Sequence, residues 1–505
     1  MGMKLKPSKC RSFSLSSGSS KVVEFFIGEN RIPSISEEEQ KFLGRVIFYT
    51  GKSSETLLYL RNTLTEKLDN IERTLLRPEY KLWIYAKYLL PSIRFLLTVH
   101  DITATDLKIL DRLTHKYMKK WAGIPRCATN AIFHTRNGMN IPSISSLYDM
   151  AHCMSHASTR LKGDAAVNHV LDCRVERESA WVRKKSVTVR AEEVFQESLD
   201  FNTVNGIIPE GERWDKQRKK KIEEVKQSVK DRVSYDQEKE WGAHINTLVK
   251  QGNLLSLAKC QNTDLNWKSY IFNLKKGTMK FILNSTLDTL PHNVNLKAWG
   301  KSPSDRCPLP GCGGRQSTCH ILSTCAVSRN QGRMTWRHDN ILTYFSQVVD
   351  KSKYEVYIDI PGHKTASAGT IPAEVGIITL DRPDIVILDR KENCLHFWEL
   401  TVSFETNFDF AHTTKQNKYA YLLTDVTTFK PSVTAFEIGA RGFVSKQNGE
   451  RLKLLHKFCK PGLKLKQFVD NISAISVNSS YFMFINRKEG VWCEPPPLSA
   501  PFNTF

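Results

Sequence analysis

The stretch "RPDIVILDRKENCLHFWELTV", Arg382 to Val402, decides the reading of the C-terminal part of the chain. Two runs rich in β-branched and aromatic residues flank the polar "DRKENC", which predicts two strands joined by a turn. Strand alternation puts Asp384, Val386 and Leu388 on one face of the first, and Phe397, Glu399 and Thr401 on one face of the second. A hairpin can then bring Asp384 and Glu399 together. Two adjacent carboxylates do not both stay charged cheaply unless a cation lies between them. Mg²⁺ is the natural ion for an all-oxygen site with a phosphate ligand. The next stretch, "FDFAHTTKQNKYAYL", predicts a helix with His412, Lys415, Lys418 and Tyr419 at three- and four-residue steps. A lysine there could stabilise charge on a phosphate or orient water, while a metal lowers the pKa of that water. The bland alternative is a surface hairpin followed by a polar helix, and spacing alone does not choose between them.

A chain of 505 residues is too long for one ordinary core, so several domains are expected. Lys plus Arg total 73 against 52 Asp plus Glu, a formal charge of +21. That balance points to a polyanion, most simply nucleic acid; charge that only aids solubility is the alternative. "MGMKLKPSKC" has no apolar core of a signal peptide, and Lys at the sixth position breaks the myristoylation pattern. The most apolar long stretch, Lys81 to Leu97, holds Lys87, Pro91 and Arg94, so no bilayer span and no membrane partner is expected. Of twelve cysteines only those between Cys307 and Cys325 cluster, which fits reduced thiols with one metal site.

That cluster reads "CPLPGCGGRQSTCHILSTC", or Cys307-x4-Cys312-x7-His320-x4-Cys325. Three thiolates and an imidazole can close a tetrahedral zinc shell, with no position left for substrate, so the site is expected to be structural. Gly311, Gly313 and Gly314 let the backbone fold around the ion. Cys319 in place of His320 is the minor alternative.

Elsewhere, "VVEFFIG" and "RVIFYT" predict strands within the first 50 residues. From Ser54 to Trp121 the periodicity is helical, with Leu57, Leu60, Leu64, Leu68, Ile71 and Leu75 as one stripe and Pro78 and Pro91 as helix starts or breaks. "ATDLKILDRLTHKYMKKWAGIP" predicts a further helix stopped by Gly123 and Pro125. The run Arg213 to Arg232, with Lys219, Lys220 and Lys221, is either a solvated helix or one lying along phosphates. "LNWKSYIFNLKKGTMKFILNS", with Lys275 and Lys276, interleaves bases and aromatics as nucleic-acid grips do.

"RPDIVIL", "WELTVSFETN", "AHTTKQNKYAYL" and "FEIGARGFV" together resemble the restriction-like endonuclease domain of early-branching non-LTR retrotransposons that insert in ribosomal RNA genes, a variant of the PD-(D/E)xK nuclease fold. The resemblance implies that Asp384 is the first acid and Glu399 the second, that the catalytic lysine, displaced from the position of Thr401, is Lys415 or Lys418, and that Mg²⁺ is the ion. Asp359 and Glu405 also fall where that family tends to carry acids. The Cys307, Cys312, His320, Cys325 set resembles the family's zinc knuckle, with a longer first spacing. "LRPEYKLWIYAKYLLPSIRFLL", "KKWAGIPRCATNAIF" and "IPSISSLYD" resemble the reverse transcriptase thumb, and "SKCRSFSL" and "KFLGRVI" the last palm motifs. No Asp-Asp dipeptide is present, so the polymerase acids are missing and no polymerisation is expected from this chain alone.

The resulting expectation is a multidomain α/β protein: palm remnant 1–50, helical thumb 51–165, basic helical linker 166–300, CCHC zinc knuckle 301–340, mixed-sheet nuclease 345–470 and tail 471–505. Its expected activity is Mg²⁺-dependent nicking of genomic DNA for target-primed reverse transcription; a catalytically inert nucleic-acid-binding relic is the alternative. The resemblance implies a DNA target, the element's RNA and a complete polymerase copy as partners, and the nucleus as location.

Overall fold

The computed structural model describes residues 6–498 apart from 17–18, 22, 36, 39, 43–44, 48–52, 182–185, 203–215, 262–266, 361–370 and 378. The chain forms two compact units, Met1–Trp121 with Ile141–Glu240, and Ala122–Asn140 with Trp241–Phe505.

The first unit opens with three short antiparallel hairpins: β1 (Ser14–Ser16) with β2 (Ser19–Lys21), β3 (Phe25–Ile27) with β4 (Asn30–Ile32), and β5 (Gln40–Phe42) with β6 (Arg45–Ile47). Helix α1 (Ser53–Arg73) buries Leu60, Leu64, Leu68 and Ile71 as the periodicity requires. Leu75, expected to extend that stripe, lies past the helix end and is fully exposed. Helices α2 (Pro78–Ile84) and α3 (Leu90–Val99) are joined by a π-helical turn, Tyr85–Leu89, into one rod. Pro91 therefore does not start a separate helix. It has no N–H and its ring would meet the carbonyl one turn back, so the rod widens ahead of it and continues. This 22-residue rod is long and apolar enough, by length and composition, to cross a membrane, against the expectation drawn from Lys87, Pro91 and Arg94. One side of it, carrying Leu82, Tyr85, Leu89, Ile93 and Leu97, is buried within the unit.

Helix α4 (Ala104–Ala122) ends at Gly123, whose φ of +63° only glycine adopts freely. After α5 (Ala131–His134), in the second unit, come α6 (Ile144–Arg160), α7 (Ala165–Trp181), α8 (Val187–Asn202) and α9 (Lys216–Asn246). From Lys216 on, the charge run is the start of α9; its residues 213–215 lie outside the described residues. Val225, Val229 and Val233 recur every fourth residue and bury against Cys153, Ala157 and Leu161 from α6 and its end, and Ala191, Val194 and Phe195 of α8.

The second unit continues with α10 (Asn253–Cys260), α11 (Trp267–Tyr270), α12 (Thr278–Thr286), α13 (Asn293–Ala298), α14 (Ala326–Asn330) and α15 (Arg333–Val348). A four-stranded mixed sheet follows: β7 (Glu355–Ile358), β8 (Ile385–Asp389), β9 (Cys394–Ser403) and, after α16 (Phe408–Lys418) and α17 (Leu422–Asp425), β10 (Lys430–Gly439). Helices α18 (Lys446–His456) and α19 (Leu465–Ile485) end it. The strand order is β10-β9-β8-β7, antiparallel except that β10 runs parallel to β9. A parallel pair needs a crossover, and α16 with α17 supplies it.

Ile385, Ile387, Trp398, Leu400, Phe436 and Ile438 face one core with Ile341 and Phe345 of α15, Leu452 of α18 and Ile472 of α19. Val386, Leu388, Leu395 and Phe397 face the other, closed by Tyr419 and Leu422. The mixed helix-and-sheet class is as read from the sequence. β10 is an edge strand, and side chains meet several of its outward groups. Gln416 of α16 donates to Val433 O and accepts from Ala435 N, both at 3.1 Å, and Asn448 of α18 accepts from Glu437 N at 3.1 Å.

Candidate active site and metal centre

The hairpin of β8 and β9 turns where local chemistry allows it. Asp389 Oδ1 accepts from Lys391 N and Glu392 N at 3.1 and 3.2 Å, and Asn393 takes a left-handed φ of +51°. The register that follows pairs Ile385 with Trp398. One step further out, Asp384 and Glu399 stand opposite each other on the face that α16 covers. Asp384 N donates to Glu399 Oε2 at 3.1 Å, and Asp384 Oδ2 accepts from Leu400 N at 2.7 Å. Both acids are buried, with exposures of 8% and 3%.

Two buried carboxylates this close need cations, and the chain supplies two. Lys415 Nζ pairs with Glu399 Oε1, and His338 Nε2 of α15 lies 3.1 Å from Asp384 Oδ2. Burial and the charge of Asp384 push the Glu399 carboxyl up to about 7, with Lys415 opposing the rise. Burial would lower the His338 pKa, but the carboxylates of Asp384 and Asp339 outweigh it and push it up to about 10. His338 was not among the residues read from the sequence. It lies 46 residues before Asp384 on another element, and only the adjacent Asp339, 2.9 Å from its Nδ1, marks it in the sequence.

The predicted lysines separate. Lys415 reaches Glu399, whereas Lys418 pairs with Asp381 at 3.0 Å and touches Tyr419 Oη at 3.1 Å. Tyr419 is buried and donates to Arg382 O at 3.1 Å. His412 does not join the acid pair. It turns to Glu437 at 3.0 Å, beside Arg451. Asp359 pairs with Arg382, and its N–H donates to Asp384 O at 2.9 Å. Glu405 is spent elsewhere: Oε2 accepts from Arg441 Nε at 2.8 Å and Oε1 from Arg441 N at 2.7 Å, fully buried. A Cβ on Gly439 would stand 2.5 Å from Glu405 Oε1, so the strand end must be glycine there.

The zinc-type residues do converge. One ligand atom each from Cys307, Cys312, His320 and Cys325 lies within 4.8 Å of the others, a Cys3His set that could hold a zinc ion. Cys312 Sγ is 3.3 Å from His320 Nε2 and 3.5 Å from Cys325 Sγ. Gly311 and Gly313 have φ of +76° and +58°, and a Cβ on Gly314 would sit 2.6 Å from His320 Cε1, so each glycine has a reason. Cys319 is outside the set; among the charges that act on its thiol are Arg441 and Glu405.

Lys219, Lys220 and Lys221 are exposed on the first turns of α9, Lys220 3.8 Å from Glu224. Lys275 and Lys276 are exposed in the turn before α12, in the other unit.

No family profile matches the chain. Over 154 residues, 28% of this chain and 14% of the relative, it is 25% identical to the "Retrovirus-related Pol polyprotein from type-2 retrotransposable element R2DM" of Drosophila melanogaster. The matched stretch is thus about one seventh of that polyprotein. The similarity supports a retrotransposon origin.

Proposed function

We propose that this chain is a DNA-nicking part of a non-LTR retrotransposon protein, cutting genomic target DNA in a Mg²⁺-dependent reaction to expose the 3′ hydroxyl that primes reverse transcription. The observation that carries the reading is Asp384 set opposite Glu399 across the hairpin with Lys415 on Glu399. The donor set fits a hard divalent cation: both acids offer only oxygens, and Asp384 Oδ1 takes none of the hydrogen bonds that hold Oδ2. A bound ion there would lower the pKa of a water and offset charge on the phosphate. The chain's own residues do the rest. His338 and the Leu400 amide hold Asp384 in orientation, and Lys415, about a third exposed, carries positive charge from Glu399 towards solvent and a phosphate. The Cys3His site keeps its stretch folded, and the exposed lysines on α9 and before α12 grip nucleic acid. The element's RNA, a complete polymerase copy and the nucleus follow as proposed partners and location.

One observation favours an inert nucleic-acid-binding relic instead. Both acids are already neutralised by Lys415 and His338 and are nearly closed to solvent. Supercoiled plasmid with Mg²⁺ separates the two readings. Nicking that disappears with Asp384→Asn supports the nuclease; no nicking by the wild-type chain supports the relic.

Lys415→Ala is expected to cut the nicking rate about 100- to 1000-fold, as loss of one transition-state donor does, with affinity nearly kept. Lys418→Ala is expected mainly to weaken binding and to lower the log–log salt slope by roughly 0.9, one phosphate contact on duplex DNA. A nicking time course beside a gel-shift titration in EDTA reads both; equal rate losses in the two variants would remove the separate roles. Binding by the whole chain is expected to fall steeply with salt, and a flat dependence between low and physiological salt would dismiss the phosphate grip by Lys219 to Lys221 and Lys275 to Lys276.

A further inference from the structure

The rod of α2, its π-helical turn and α3 buries one side within the first unit, yet its other side is not simply polar. Tyr80, Trp83, Tyr88 and Phe95 are 38, 39, 61 and 47% exposed. Single exposed apolar residues are ordinary on any surface, but four aromatic rings on one rod are not. Tyr80, Trp83, Lys87, Pro91 and Arg94 recur at three- and four-residue steps, with Tyr88 beside Lys87 and Phe95 beside Arg94, so all share one face.

The wide turn keeps them on that face. Leu82 and Leu97 are buried on the opposite side, fifteen residues apart. A regular α-helix drifts by about 60° over such a span. The π-helical turn at Tyr85–Leu89 takes up that drift, so the aromatic residues before and after Pro91 stay in line. Across this turn Trp83 and Tyr88 meet edge to face, with ring centroids 5.3 Å apart. The contact restrains both rings and leaves them less side-chain entropy to lose when something packs on them.

The charge on this face has one sign. Residues 78–99 hold a single acid, Glu79, which is buried and paired with Arg77. The Lys81 ammonium is held by Glu72 O at 2.7 Å. The side chains of Lys87 and Arg94 are exposed and have no partner among the described residues. An occupant that complements the face must therefore offer flat apolar surfaces and negative charges in alternation. A lipid surface fits poorly: an interfacial helix keeps its bases on a polar face away from the aromatic one, whereas Lys87 and Arg94 stand within the aromatic stripe. A duplex keeps its base faces inside its own stack. An unpaired strand offers a base and a phosphate at every step.

We propose that the exposed face of this rod is a platform for a single strand of nucleic acid, with bases on Trp83, Tyr88 and Phe95 and phosphates on Lys87 and Arg94. From Tyr80 to Phe95 the rod runs ~22 Å at a rise of ~1.5 Å per residue. That length spans about six or seven nucleotides at ~3.4 Å each. The platform lies within the first unit and the acid pair in the second, so the proposal does not rest on the nuclease reading.

The test uses the full chain without divalent metal. An unstructured oligonucleotide of about seven nucleotides and a hairpin duplex are each titrated by fluorescence anisotropy. Vesicles of phosphatidylserine and phosphatidylcholine are tested by co-sedimentation, and self-association by sedimentation velocity. Tyr88→Leu keeps apolar bulk and removes the ring, Tyr88→Phe keeps the ring, and Lys87→Ala removes one cation; all three positions in the stripe are exposed, and a thermal midpoint checks each fold. Single-strand affinity is expected to fall about tenfold in Tyr88→Leu, within the range for one stacked base, and to stay at the wild-type value in Tyr88→Phe. Duplex affinity is expected to be the same in both. Lys87→Ala is expected to lower the single-strand log–log salt slope by roughly 0.7, one phosphate contact. Equal single-strand affinity in wild type and Tyr88→Leu overturns the platform. If Tyr88→Leu instead weakens vesicle binding or self-association with single-strand affinity unchanged, the face belongs to a lipid surface or to a second copy, and the proposal also fails. Equal losses on single strand and duplex overturn the stacking. Nicking and its loss in Asp384→Asn are independent of all these outcomes, so failure of the platform and failure of the nuclease reading are told apart.

Discussion

Asp384→Asn and Glu399→Gln are each expected to lower metal-dependent nicking by more than about 100-fold, the upper range lost when even an outer partner of a metal ligand is removed, while DNA affinity in EDTA holds or rises. Each substitution keeps the side-chain size and removes one charge. Loss of an anionic ligand unseats the proposed cation. Loss of a negative charge near the phosphates favours binding. The geometry sharpens the second expectation. Lys415 pairs with Glu399 in the free protein, so Glu399→Gln releases its ammonium for a phosphate. Affinity should therefore rise more for Glu399→Gln than for Asp384→Asn, where the cation released is the more buried His338. A gel-shift titration in EDTA and a nicking time course in Mg²⁺, run on both variants, decide it. If binding and nicking fall together, the two acids are structural and the nuclease assignment fails at its centre.

His320→Ala is expected to lose zinc and, with it, the fold of the stretch from Cys307 to Cys325. Apparent zinc-binding free energies in small structural sites are about 10–16 kcal/mol at neutral pH, as large as the whole stability of a typical domain, roughly 5–15 kcal/mol. Leu309, Gln316 and Leu322 are buried and tie the stretch to its neighbours, so the loss of order is expected to centre on the ligands and the turns between them. Its backbone runs through the left-handed glycines Gly311 and Gly313 and a π-helical turn at His320–Thr324. Metal analysis should find about one zinc per wild-type chain by the ligand count and none in the variant. Limited proteolysis should then cut within Cys307 to Cys325 after chelation of the wild type and without it in the variant. A variant that keeps its zinc would show a different ligand set, with Cys319 the neighbouring thiol able to replace His320.

The parts of the site that were legible in the sequence are those set by short-range rules. A strand's side chains alternate with period two, and a turn of fixed length sets the register, so the meeting of Asp384 with Glu399 follows from the residues between them. The Cys3His set is legible for the same reason: its four members lie within nineteen consecutive residues, 307 to 325, and the glycines between them allow the backbone to turn. The mixed helix-and-sheet class follows from the alternation of the two periods.

The rest depended on how one element docks on another. Lys415 and Lys418 differ by about 60° around a helix, so spacing alone placed both near the acids, along with His412. Gln416 pins α16 to the edge of β10, and that docking aims Lys415 at Glu399, Lys418 at Asp381 and His412 at Glu437. Glu405, an acid at a suggestive position, was taken instead by Arg441 from beyond β10. His338 reaches Asp384 only because α15 packs on the opposite core of the sheet, through Ile341 and Phe345. Local periodicity carries information over a turn or a hairpin, whereas the orientation of a helix on a sheet is settled by the fit of many side chains drawn from distant parts of the chain. The sequence by itself determined the acid pair and the Cys3His cluster; the tertiary packing decided which cation meets which acid.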